Sequence, residues 1–478
     1  MERAKPVSLS ILLCFFLSVS ISSSTPHQLQ TFVPTLLPSP QTLSHPTQLD
    51  SETAVLPEPE SGGHSILSVD LYSVDSHAPT PNLTAVSLFE SRLRRDSQIV
   101  QKISAFAAAA VLEHHSRDYN SSVFSGISVG SGEYFTRIGF GTPVKYFDMV
   151  LDTGSDVTWL QSHPCKKCYK QTDPIFDPSK SSSFRMVRCG AKICKDGCNK
   201  RHSHTCSYGV SYGDGSFTSG ELSTETMTFR GNMVKRVAFG CGHDNEGLFI
   251  GAAGLLGLGR GKLSFTNQAA SRFGKKFSYC LVGRNSGPAL KSSILFGKSA
   301  VSRKAVLTPL LTNPKIDTFY YLGLIGFSVG GQRVPRIAPS VFKLQVDGSG
   351  GVIIDSGTSV TRLVQPAYEA LRNAFRAGAS HLKRSSSFSL FDTCFDLSGK
   401  TEVEVPTVVV HFTEASVSLP ASNYLIPVNN YGKYCFAFAG TSSTVGLSII
   451  GNIQQQGFRV SYDLESNRVG FAPGSCGN

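Results

Sequence analysis

The distribution of apolar residues divides the chain into three regions. Residues 11–17 form a short, uninterrupted apolar run, and residues 25–80 are rich in Pro, Ser and Thr and show no apolar period. From Gly126 onward, short runs of β-branched or aromatic residues alternate with Gly, Asp, Ser and Pro, as in residues 134–138 and 407–411. Such runs between turn residues are typical of strands. The pattern therefore predicts an all-β protein after Gly126 and a disordered stretch at 25–80.

Two segments have the spacing of a helix instead. In residues 86–114, apolar side chains recur every three or four positions with basic side chains between them, which predicts a basic amphipathic helix. The simpler alternative is a solvated helix that packs on a neighbouring element. Within the β-rich region, residues 366–377 are the one clear helical stretch.

Residues 1–24 have the features of a secretory signal peptide. Arg3 and Lys5 precede the apolar run at 11–17, and small residues follow it. The run is too short for a stable membrane anchor, because spanning a bilayer takes about 20 apolar residues. A plastid transit peptide is the competing interpretation, which the compact apolar run disfavours.

Composition and charge exclude several classes of protein. With 40% apolar and 17% charged residues, the chain is not disordered throughout. The formal net charge is +11, but the basic residues are scattered and no recognition motif accompanies them, so we expect no nucleic-acid partner. Two glycosylation sequons, at Asn82 and Asn120, agree with a secretory route.

The most informative feature is an internal duplication. An apolar strand runs into Asp152, a hydroxyl residue, Gly and a second hydroxyl residue, and the same pattern recurs at Asp355. About a hundred residues after each Asp comes an apolar pair followed by Gly, at 255–257 and at 449–451. The repeated order predicts two homologous lobes.

Two Asp residues on such loops suit general acid–base catalysis. If the loops face each other across a pseudo-twofold axis, the two carboxylates come together and share one proton, because like charges in contact cannot both ionise. The pair then activates water as a base and protonates a leaving amine as an acid, with no metal or cofactor. A glycosidase also uses two carboxylates, but it does not need two symmetric Asp loops. The residues that would support the carboxylates are Thr153, Gly154, Ser155, Ser356, Gly357 and Thr358.

Residues 131–478 resemble the pepsin-type aspartic proteases, and within them the plant nepenthesin-like branch. The motifs that carry the resemblance are YGVSYGDGSF at 208–217, FGCGHDNEGLF at 239–249, LLGLGRG at 255–261 and LSIIGNIQQQGFR at 447–459. The resemblance implies a bilobal pepsin-like fold, with two β-barrel-like lobes and a cleft between them.

The resemblance also implies a domain order and an activity. The N-terminal catalytic lobe, with a cysteine-rich insertion, would span 125–305, and the C-terminal catalytic lobe 306–478. A prosegment at 25–124 would be removed on activation by cleavage near 115–130, and the basic helix from Arg92 to Lys102 would lie near the acidic cleft. The activity implied is acid endopeptidase, with polypeptide substrates and pepstatin-like inhibitors. We expect a monomer, secreted to the apoplast or carried to the vacuole.

By motif position, the resemblance makes Asp152 and Asp355 the catalytic pair. Thr153 and Ser356 would cross-brace the two loops, whereas Ser155 and Thr358 would bond the outer carboxylate oxygens. Tyr212 falls at the position of the flap tyrosine, and Trp159, the only Trp in the chain, would hydrogen-bond its hydroxyl. A catalytically silent binding protein of the same fold, like the xylanase-inhibitor relatives, is the alternative function.

The cysteines of the predicted mature chain indicate disulfides. Removing Cys14 with the signal peptide leaves 11. A zinc site at Cys165, Cys168 and their neighbours is disfavoured, because secreted chains favour disulfides and the spacing matches no standard finger. The pairs implied by the resemblance are Cys168–Cys241, Cys189–Cys206, Cys194–Cys198, Cys280–Cys476 and Cys394–Cys435. In that pattern Cys165 pairs with a cysteine at position 162, which is Ser here, so we expect a free thiol at Cys165.

Overall fold

A computed structural model describes most of the chain from residue 28 to residue 476. Neither the predicted signal peptide nor the sequons at Asn82 and Asn120 lie within the described residues. No helix in the described part is both long enough and apolar enough to span a membrane. The described residues are 28–37, 67–73, 84–112, 124–128, 134–194, 198, 204–212, 216–247, 249, 251–283, 291–441, 443, 446–474 and 476.

Strands dominate both lobes, whereas a 28-residue helix is the longest element of the N-terminal segment. The N-terminal segment contains β1 (Leu29–Phe32), β2 (Leu67–Ser73), α1 (Ala85–Leu112) and β3 (Phe124–Ser128). The first lobe contains β4 (Tyr134–Phe140), β5 (Lys145–Asp152), β6 (Trp159–Gln161), β7 (Arg185–Met186), β8 (Ser207–Tyr212), β9 (Phe217–Phe229), β10 (Asn232–Glu246), β11 (Gly254–Gly257), α2 (Phe265–Gln268), α3 (Ala270–Phe273), β12 (Lys276–Cys280) and β13 (Ser292–Phe296). The second lobe contains β14 (Val306–Leu311), β15 (Tyr320–Leu322), β16 (Leu324–Val329), β17 (Gln332–Arg333), β18 (Val352–Ile354), β19 (Thr361–Leu363), α4 (Gln365–Gly378), β20 (Arg384–Ser385), β21 (Cys394–Asp396), β22 (Val403–Pro406), β23 (Val408–Phe412), β24 (Ala415–Leu419), β25 (Leu425–Pro427), β26 (Lys433–Phe436), β27 (Phe438–Gly440), β28 (Ser448–Ile450), β29 (Phe458–Asp463) and β30 (Arg468–Pro473).

The two lobes repeat one arrangement of strands, as the duplication predicts. In the first lobe, β5 lies parallel to β11, so that Asp152 stands opposite Gly257. In the second, β18 lies parallel to β28, with Ile354 opposite Ile450. The next strand in each lobe, β6 or β19, crosses antiparallel to the same partner. The bilobal, strand-rich fold class is therefore confirmed.

A sheet built from both lobes joins them. β12 pairs with β13 and with β29, β29 pairs with β30, and β30 pairs with β14, all antiparallel. β2 of the N-terminal segment adds a further strand beside β13 and buries Leu67, Val69 and Leu71 on one side. The alternation of buried and exposed residues along β2 is the period expected of a half-buried strand.

The prediction of disorder over 25–80 is wrong for two described segments. β1 pairs antiparallel with β22, and β2 pairs with β13 and β4. Each of these strands is short and is flanked by residues rich in Pro, Ser and Thr, so that no local period marks it. Their stability comes from partner strands far away in the sequence, which local patterning does not reveal.

The predicted amphipathic helix is present as α1, and it packs on the second lobe. Phe89 and Leu93 belong to a buried apolar cluster with Val360 and Ile453. Further along the helix, apolar side chains belong to a second cluster with strands β15, β18 and β28: they are Ile99, Val100, Ile103 and Ala107. After α1, the strand β3 pairs in parallel with β8 of the first lobe. The N-terminal segment therefore contacts both lobes.

The predicted cysteine pairing is wrong within the first lobe. The disulfides there are Cys165–Cys168, Cys189–Cys198 and Cys194–Cys206. Backbone hydrogen bonds set Cys206 opposite Val187 and Cys189 opposite His204, out of register for the predicted Cys189–Cys206 bridge. Cys198 bonds Cys189 and Cys194 bonds Cys206, so the predicted Cys194–Cys198 pair is absent as well. The other two disulfides, Cys280–Cys476 and Cys394–Cys435, are those that the resemblance implies.

The free thiol belongs to Cys241 and not to Cys165. Cys241 is the one free cysteine in the described part of the chain, and it is buried in the middle of β10. Cys165 and Cys168, by contrast, lie on a partly exposed loop and bond to each other. Burial raises the pKa of the Cys241 thiol to about 12, so that it stays protonated and unreactive in the folded protein.

Ser162 lies beside Cys241, and this position predicts a new disulfide. Ser162 lies close enough to the Cys241 thiol to oppose the rise in its pKa, and the Ser162 hydroxyl donates to Leu160 O at 2.9 Å. The strand β6 runs parallel to β10, with Leu160 opposite Cys241. We predict that Ser162→Cys forms a disulfide with Cys241 and raises the Tm, because the cross-link restricts the unfolded chain. Peptide mapping under non-reducing conditions identifies the bridge, and Ser162→Ala is the matched control that keeps Cys241 free. A bridge from position 162 to Cys165 instead would contradict the prediction.

Candidate active site

Asp152 and Asp355 occupy equivalent positions at the ends of buried strands. Asp152 is the last residue of β5, and Asp355 directly follows β18. Both side chains are buried, and each strand that carries one lies against the apolar-apolar-Gly strand of its own lobe. The apolar run holds the strand in the core, and the carboxylate lies where the strand ends and the turn begins.

The structure brings the two predicted carboxylates together around Gly357. A Cβ added at Gly357 would lie 3.3 Å from Asp152 Oδ1 and 3.4 Å from Asp355 Oδ1. The absence of a side chain at this position therefore allows both groups to approach one point. Backbone amides hold them in similar ways: Gly154 N donates to Asp152 Oδ1 at 2.7 Å, and Gly357 N donates to Asp355 Oδ1 at 3.0 Å.

The hydroxyl residues that follow each Asp link the two loops. Ser356 N donates to Thr153 Oγ1 at 2.9 Å, and the Thr153 and Ser356 hydroxyl oxygens lie 3.2 Å apart. Thr153 Oγ1 also donates to Asp355 Oδ1 at 3.3 Å. All of these groups are buried, so that little water competes for the bonds. The cross-brace implied by the resemblance is therefore present between these two residues.

The outer hydroxyl bonds are not symmetric. Thr358 Oγ1 donates to Asp355 Oδ2 at 2.7 Å, as expected for that residue. Ser155 Oγ is buried and has no hydrogen-bond partner within the described residues, so the expected bond to Asp152 does not appear there. In the first loop, the Gly154 amide supplies a bond to the carboxylate instead.

Burial and the neighbouring carboxylate set the electrostatics of the site. Desolvation raises the pKa of Asp355 above its usual value, and the hydrogen bonds from Thr358, Gly357 and Thr153 oppose that rise only in part. Desolvation also raises the pKa of the Tyr212 hydroxyl well above its usual value, and the negative charge of Asp152 raises it further. Tyr212 therefore remains a neutral hydrogen-bonding group near the first carboxylate.

Tyr212, at the predicted flap position, is held by the single Trp. It is the last residue of β8, and its hydroxyl accepts a hydrogen bond from Trp159 Nε1. Both rings also pack edge-on against Phe249, with ring centroids 5.5 Å and 5.0 Å away respectively. The structure thus contains the hydrogen bond that the resemblance suggested.

Polar residues after the apolar-apolar-Gly strand support the second Asp loop, and sequence reasoning missed them. Asn452 donates from its side chain to Ser356 O at 3.0 Å and from its backbone to Thr358 O at 2.7 Å. Gln455 Nε2 donates to Asp355 O at 3.0 Å and to Ile450 O at 2.9 Å. The available signal was the polar run at 452–456, which is unusual directly after a buried strand.

Asp156 links the first Asp loop to the second lobe, and it was also missed. Its carboxylate accepts hydrogen bonds from Gly261 N at 2.7 Å and from Thr318 Oγ1 at 2.7 Å. Desolvation raises the pKa of Asp156 to about 6, although these two bonds act in the opposite direction. The signal in the sequence was an acid in the first motif, DTGSD, at the place where the second, DSGTS, has Ser.

Metal-binding side chains do not cluster at this site among the described residues. Within the described residues, no group of three or more His, Cys, Asp or Glu side chains is arranged to hold a metal ion. The cysteines of the alternative zinc site are instead used in disulfides, including Cys165, Cys168, Cys194 and Cys198.

Two family models match the two halves of this architecture. Residues 134–298 match the model described as xylanase inhibitor N-terminal, and residues 319–473 match the one described as xylanase inhibitor C-terminal. Among solved structures, edgp has a TM-score of 0.59 at 23% identity and covers 73% of this chain and 93% of its own. Soybean basic 7S globulin has a TM-score of 0.56 at 21% identity, with 71% and 92% covered. These structures share the fold.

Curated relatives identify the family. The chain is 59% identical to "Aspartyl protease family protein 2" of Arabidopsis thaliana, over 97% of this chain and 98% of that protein. It is 49% identical to "Protein ASPARTIC PROTEASE IN GUARD CELL 2" of the same plant, with 81% and 83% covered. It is 39% identical to "Aspartic proteinase nepenthesin-1" of Nepenthes gracilis, with 83% and 88% covered. The chain therefore belongs to the plant pepsin-like family of aspartic proteases and is an aspartic-type endopeptidase.

Proposed function

We propose that this endopeptidase is made as a secreted zymogen and that Asp152 and Asp355 are its catalytic dyad at acid pH. The observation that carries the assignment is the approach of both buried carboxylates to one point beside Gly357. The Thr153–Ser356 cross-brace supports it, because it fixes the two loops relative to each other. We also propose that the enzyme is secreted to the apoplast or carried to the vacuole, that it is a monomer, and that pepstatin-like compounds inhibit it.

The mechanism follows from one proton shared between two carboxylates. The ionised member removes a proton from a water molecule, whose oxygen attacks the carbonyl carbon of the peptide bond, while the protonated member gives its proton to the carbonyl oxygen. The tetrahedral intermediate then collapses, and the dyad transfers a proton to the leaving nitrogen as the C–N bond breaks. Both carboxylates are buried, which disfavours two charges side by side and supports the state in which the pair shares one proton.

The surroundings of Tyr212 suit the flap of such an enzyme. The hydrogen bond from Trp159 orients the phenol, and the aromatic packing around it provides an apolar wall next to Asp152. Water excluded from that side of the cleft cannot compete with the hydrogen bonds that the dyad makes to a polypeptide substrate.

The position of α1 supports the zymogen. The helix packs on the second lobe next to the loop of Asp355, where Asp96 of the helix bonds the backbone of Ser359 and Val360. Acidification would weaken the electrostatic attraction between the prosegment and the cleft, because it reduces the number of ionised carboxylates there. We propose that cleavage then occurs between α1 and β4, near residues 115–130, and that the basic residues of α1 favour ionised carboxylates in the precursor.

A catalytically silent binding protein is the less supported alternative. The family models carry the word inhibitor in their descriptions, but the relatives reported above are named as proteases. Both Asp loops, the cross-brace and the flap tyrosine are present in this chain. A silent relative would have no need to keep the complete set.

Removal of either carboxylate tests the dyad. We predict that Asp152→Asn and Asp355→Asn each reduce cleavage of a denatured protein to background, because an amide neither shares nor delivers the proton and the two groups act as a unit. Assays across acid to neutral pH, with and without pepstatin, measure the loss, and circular dichroism checks the fold. Asp347→Asn, on an exposed loop, is the control and should keep full activity. A folded dyad variant with substantial activity at any pH would contradict the assignment.

Activation should remove α1. We predict that acidified precursor gives an active species whose N-terminus lies near 115–130, and N-terminal sequencing with mass spectrometry checks it. The Asp152→Asn precursor, incubated alone, is the control for cleavage by a contaminating protease. An active species that still contains residues 85–112 would show that the zymogen proposal is wrong.

Asp156 should make stability depend on pH. Its folded pKa of about 6 lies above the ordinary aspartate value of 3.8, so the native state holds a proton that the unfolded chain releases between those values. Its contribution to the free energy of unfolding is therefore highest near pH 4 and falls as the pH rises through about 6, by up to about 3 kcal/mol. We predict that Asp156→Asn, which can keep both hydrogen bonds, raises the Tm at pH 7 relative to the wild type and changes it little at pH 4. Thermal unfolding of both proteins, with Asp347→Asn as control, measures the difference, and an equal change at both pH values would refute it.

A further inference from the structure

A buried acid on the prosegment helix meets a buried cation of the second lobe. Asp96 Oδ2 accepts a hydrogen bond from Arg362 Nη2 at 2.6 Å, and both side chains are almost fully buried. Asp96 Oδ1 accepts from the backbone amides of Ser359 at 2.6 Å and Val360 at 3.1 Å. The Asp96 carboxylate thus accepts three hydrogen bonds, and all three donors lie within residues 359–362.

The donors belong to the catalytic lobe, and the acid belongs to the prosegment. The geometry is that of a carboxylate-binding site: two adjacent backbone amides hold one oxygen, and a guanidinium holds the other. Within the pocket, Arg362 has a further contact from Nη1 to Val360 O at 3.3 Å, which does not neutralise its charge. If α1 leaves on activation, the three donors lose their acceptor and the cation loses its counter-charge.

The loop that carries the donors is held independently of the prosegment. Ile453 N donates to Ser359 O at 3.1 Å, and Asn452 N donates to Thr358 O at 2.7 Å. The Thr361 hydroxyl bonds Gln454 Oε1 at 2.5 Å. All of these partners belong to the second lobe, so the donors should keep their positions after α1 has gone, ready to bind another carboxylate.

The site lies within reach of a bound substrate. Thr358, the residue before Ser359, bonds the Asp355 carboxylate directly. Ser359 is four positions after Asp355, a length of chain that spans at most about 14 Å. A substrate in extended conformation advances about 3.3 Å per residue, so this distance corresponds to the first four residues on one side of the scissile bond.

The surface around the site is apolar. Phe89 and Leu93 of α1 share a buried cluster with Val360 and Ile453, which are neighbours of the donor loop. Departure of the helix would expose Val360 and Ile453 near Arg362. A charged substrate side chain bound there would therefore be shielded from water, which strengthens its interaction with the guanidinium.

We propose that Ser359 N, Val360 N and the Arg362 guanidinium form an acidic-side-chain subsite of the substrate cleft, which Asp96 fills in the precursor and a substrate Asp or Glu fills in the mature enzyme. The inference rests on the proposed function, because it needs α1 to be released. It makes Arg362 a specificity-determining residue and Asp96 an internal mimic of the preferred substrate side chain.

The alternative role for the pair is to dock the prosegment and nothing more. In that case Arg362 would matter for folding and activation but not for the choice of substrate. The two roles differ in one measurable quantity, the ratio of kcat/KM for matched peptides with Glu and Gln at the same position. Docking alone leaves this ratio near one.

The test uses the activated enzyme and one peptide that it cleaves, found by digesting a denatured protein. Each of the four positions on either side of the scissile bond is set in turn to Glu and to Gln, and kcat/KM is measured at about pH 5.5, above the usual glutamate pKa of about 4.3. We expect one position where Glu exceeds Gln at least tenfold, as a charge-assisted hydrogen bond of moderate strength provides.

Variants assign that preference to the site. Arg362→Gln is made together with Asp96→Asn, so that no unpaired charge is buried in the precursor, and its mature form should show a Glu-to-Gln ratio near one. Asp96→Asn alone should release the prosegment more readily and give a mature enzyme with the wild-type ratio. Arg303→Gln, at an exposed position between β13 and β14, is the charge control and should also keep that ratio.

The outcomes separate this inference from the proposed function. An active wild-type enzyme with no Glu preference at any of the eight positions, or a double variant that keeps the preference, overturns the subsite alone. A chain that shows no proteolysis, or that never releases residues 85–112, overturns the proposed function and the subsite with it.

Discussion

The structure depends on the contact between two loops that come from different lobes. Thr153 and Ser356 bond to each other next to two carboxylates that would repel if both were ionised. Neither lobe alone can hold that arrangement, because each contributes only one acid and one hydroxyl. Three features hold the two lobes in the relative position that this buried cluster requires. They are the sheet that joins the lobes, the hydrogen bonds from Asn452 and Gln455 to the second Asp loop, and the Asp156–Thr318 contact.

The two Asp loops are supported by different groups. Asp355 is held by the Thr358 hydroxyl, by the Gly357 amide and by a backbone that Gln455 ties to Ile450. On the Asp152 side, the Gly154 amide donates to the carboxylate and Leu258 N donates to Asp152 O at 2.8 Å, whereas the Ser155 hydroxyl has no hydrogen-bond partner within the described residues. Two loops that are homologous in sequence have therefore acquired different surroundings from the polar residues that follow each apolar-apolar-Gly strand.

The features that could be predicted from the sequence were those that depend on patterns of a few neighbouring residues. The duplicated Asp motifs, α1 and α4 depend on spacing within a few residues, and each was found where the pattern placed it. The strands β1 and β2 were missed because their partners lie far away in the sequence. The pairing of four cysteines depends on strand register, because a one-residue shift turns each side chain to the opposite face of the sheet. These are Cys189, Cys194, Cys198 and Cys206. Asp96 was missed because an acid among the basic residues of an amphipathic helix resembles a solvent-exposed position, and only the folded lobe reveals the cation that it meets.

If the proposed cleavage occurs, the strand β2 makes maturation a question of sheet exchange as well as of peptide-bond cleavage. A cut between α1 and β4 would separate the covalent chain but leave β2 in a ladder with β13 that extends from Leu67 to Leu71. Unless another strand takes that place, dissociation of β2 would expose a row of unpaired amides and carbonyls on the sheet that holds the lobes together, an edge open to self-association. The cut protein would therefore either keep β2 as a noncovalently bound strand or close the sheet with another segment of its own chain.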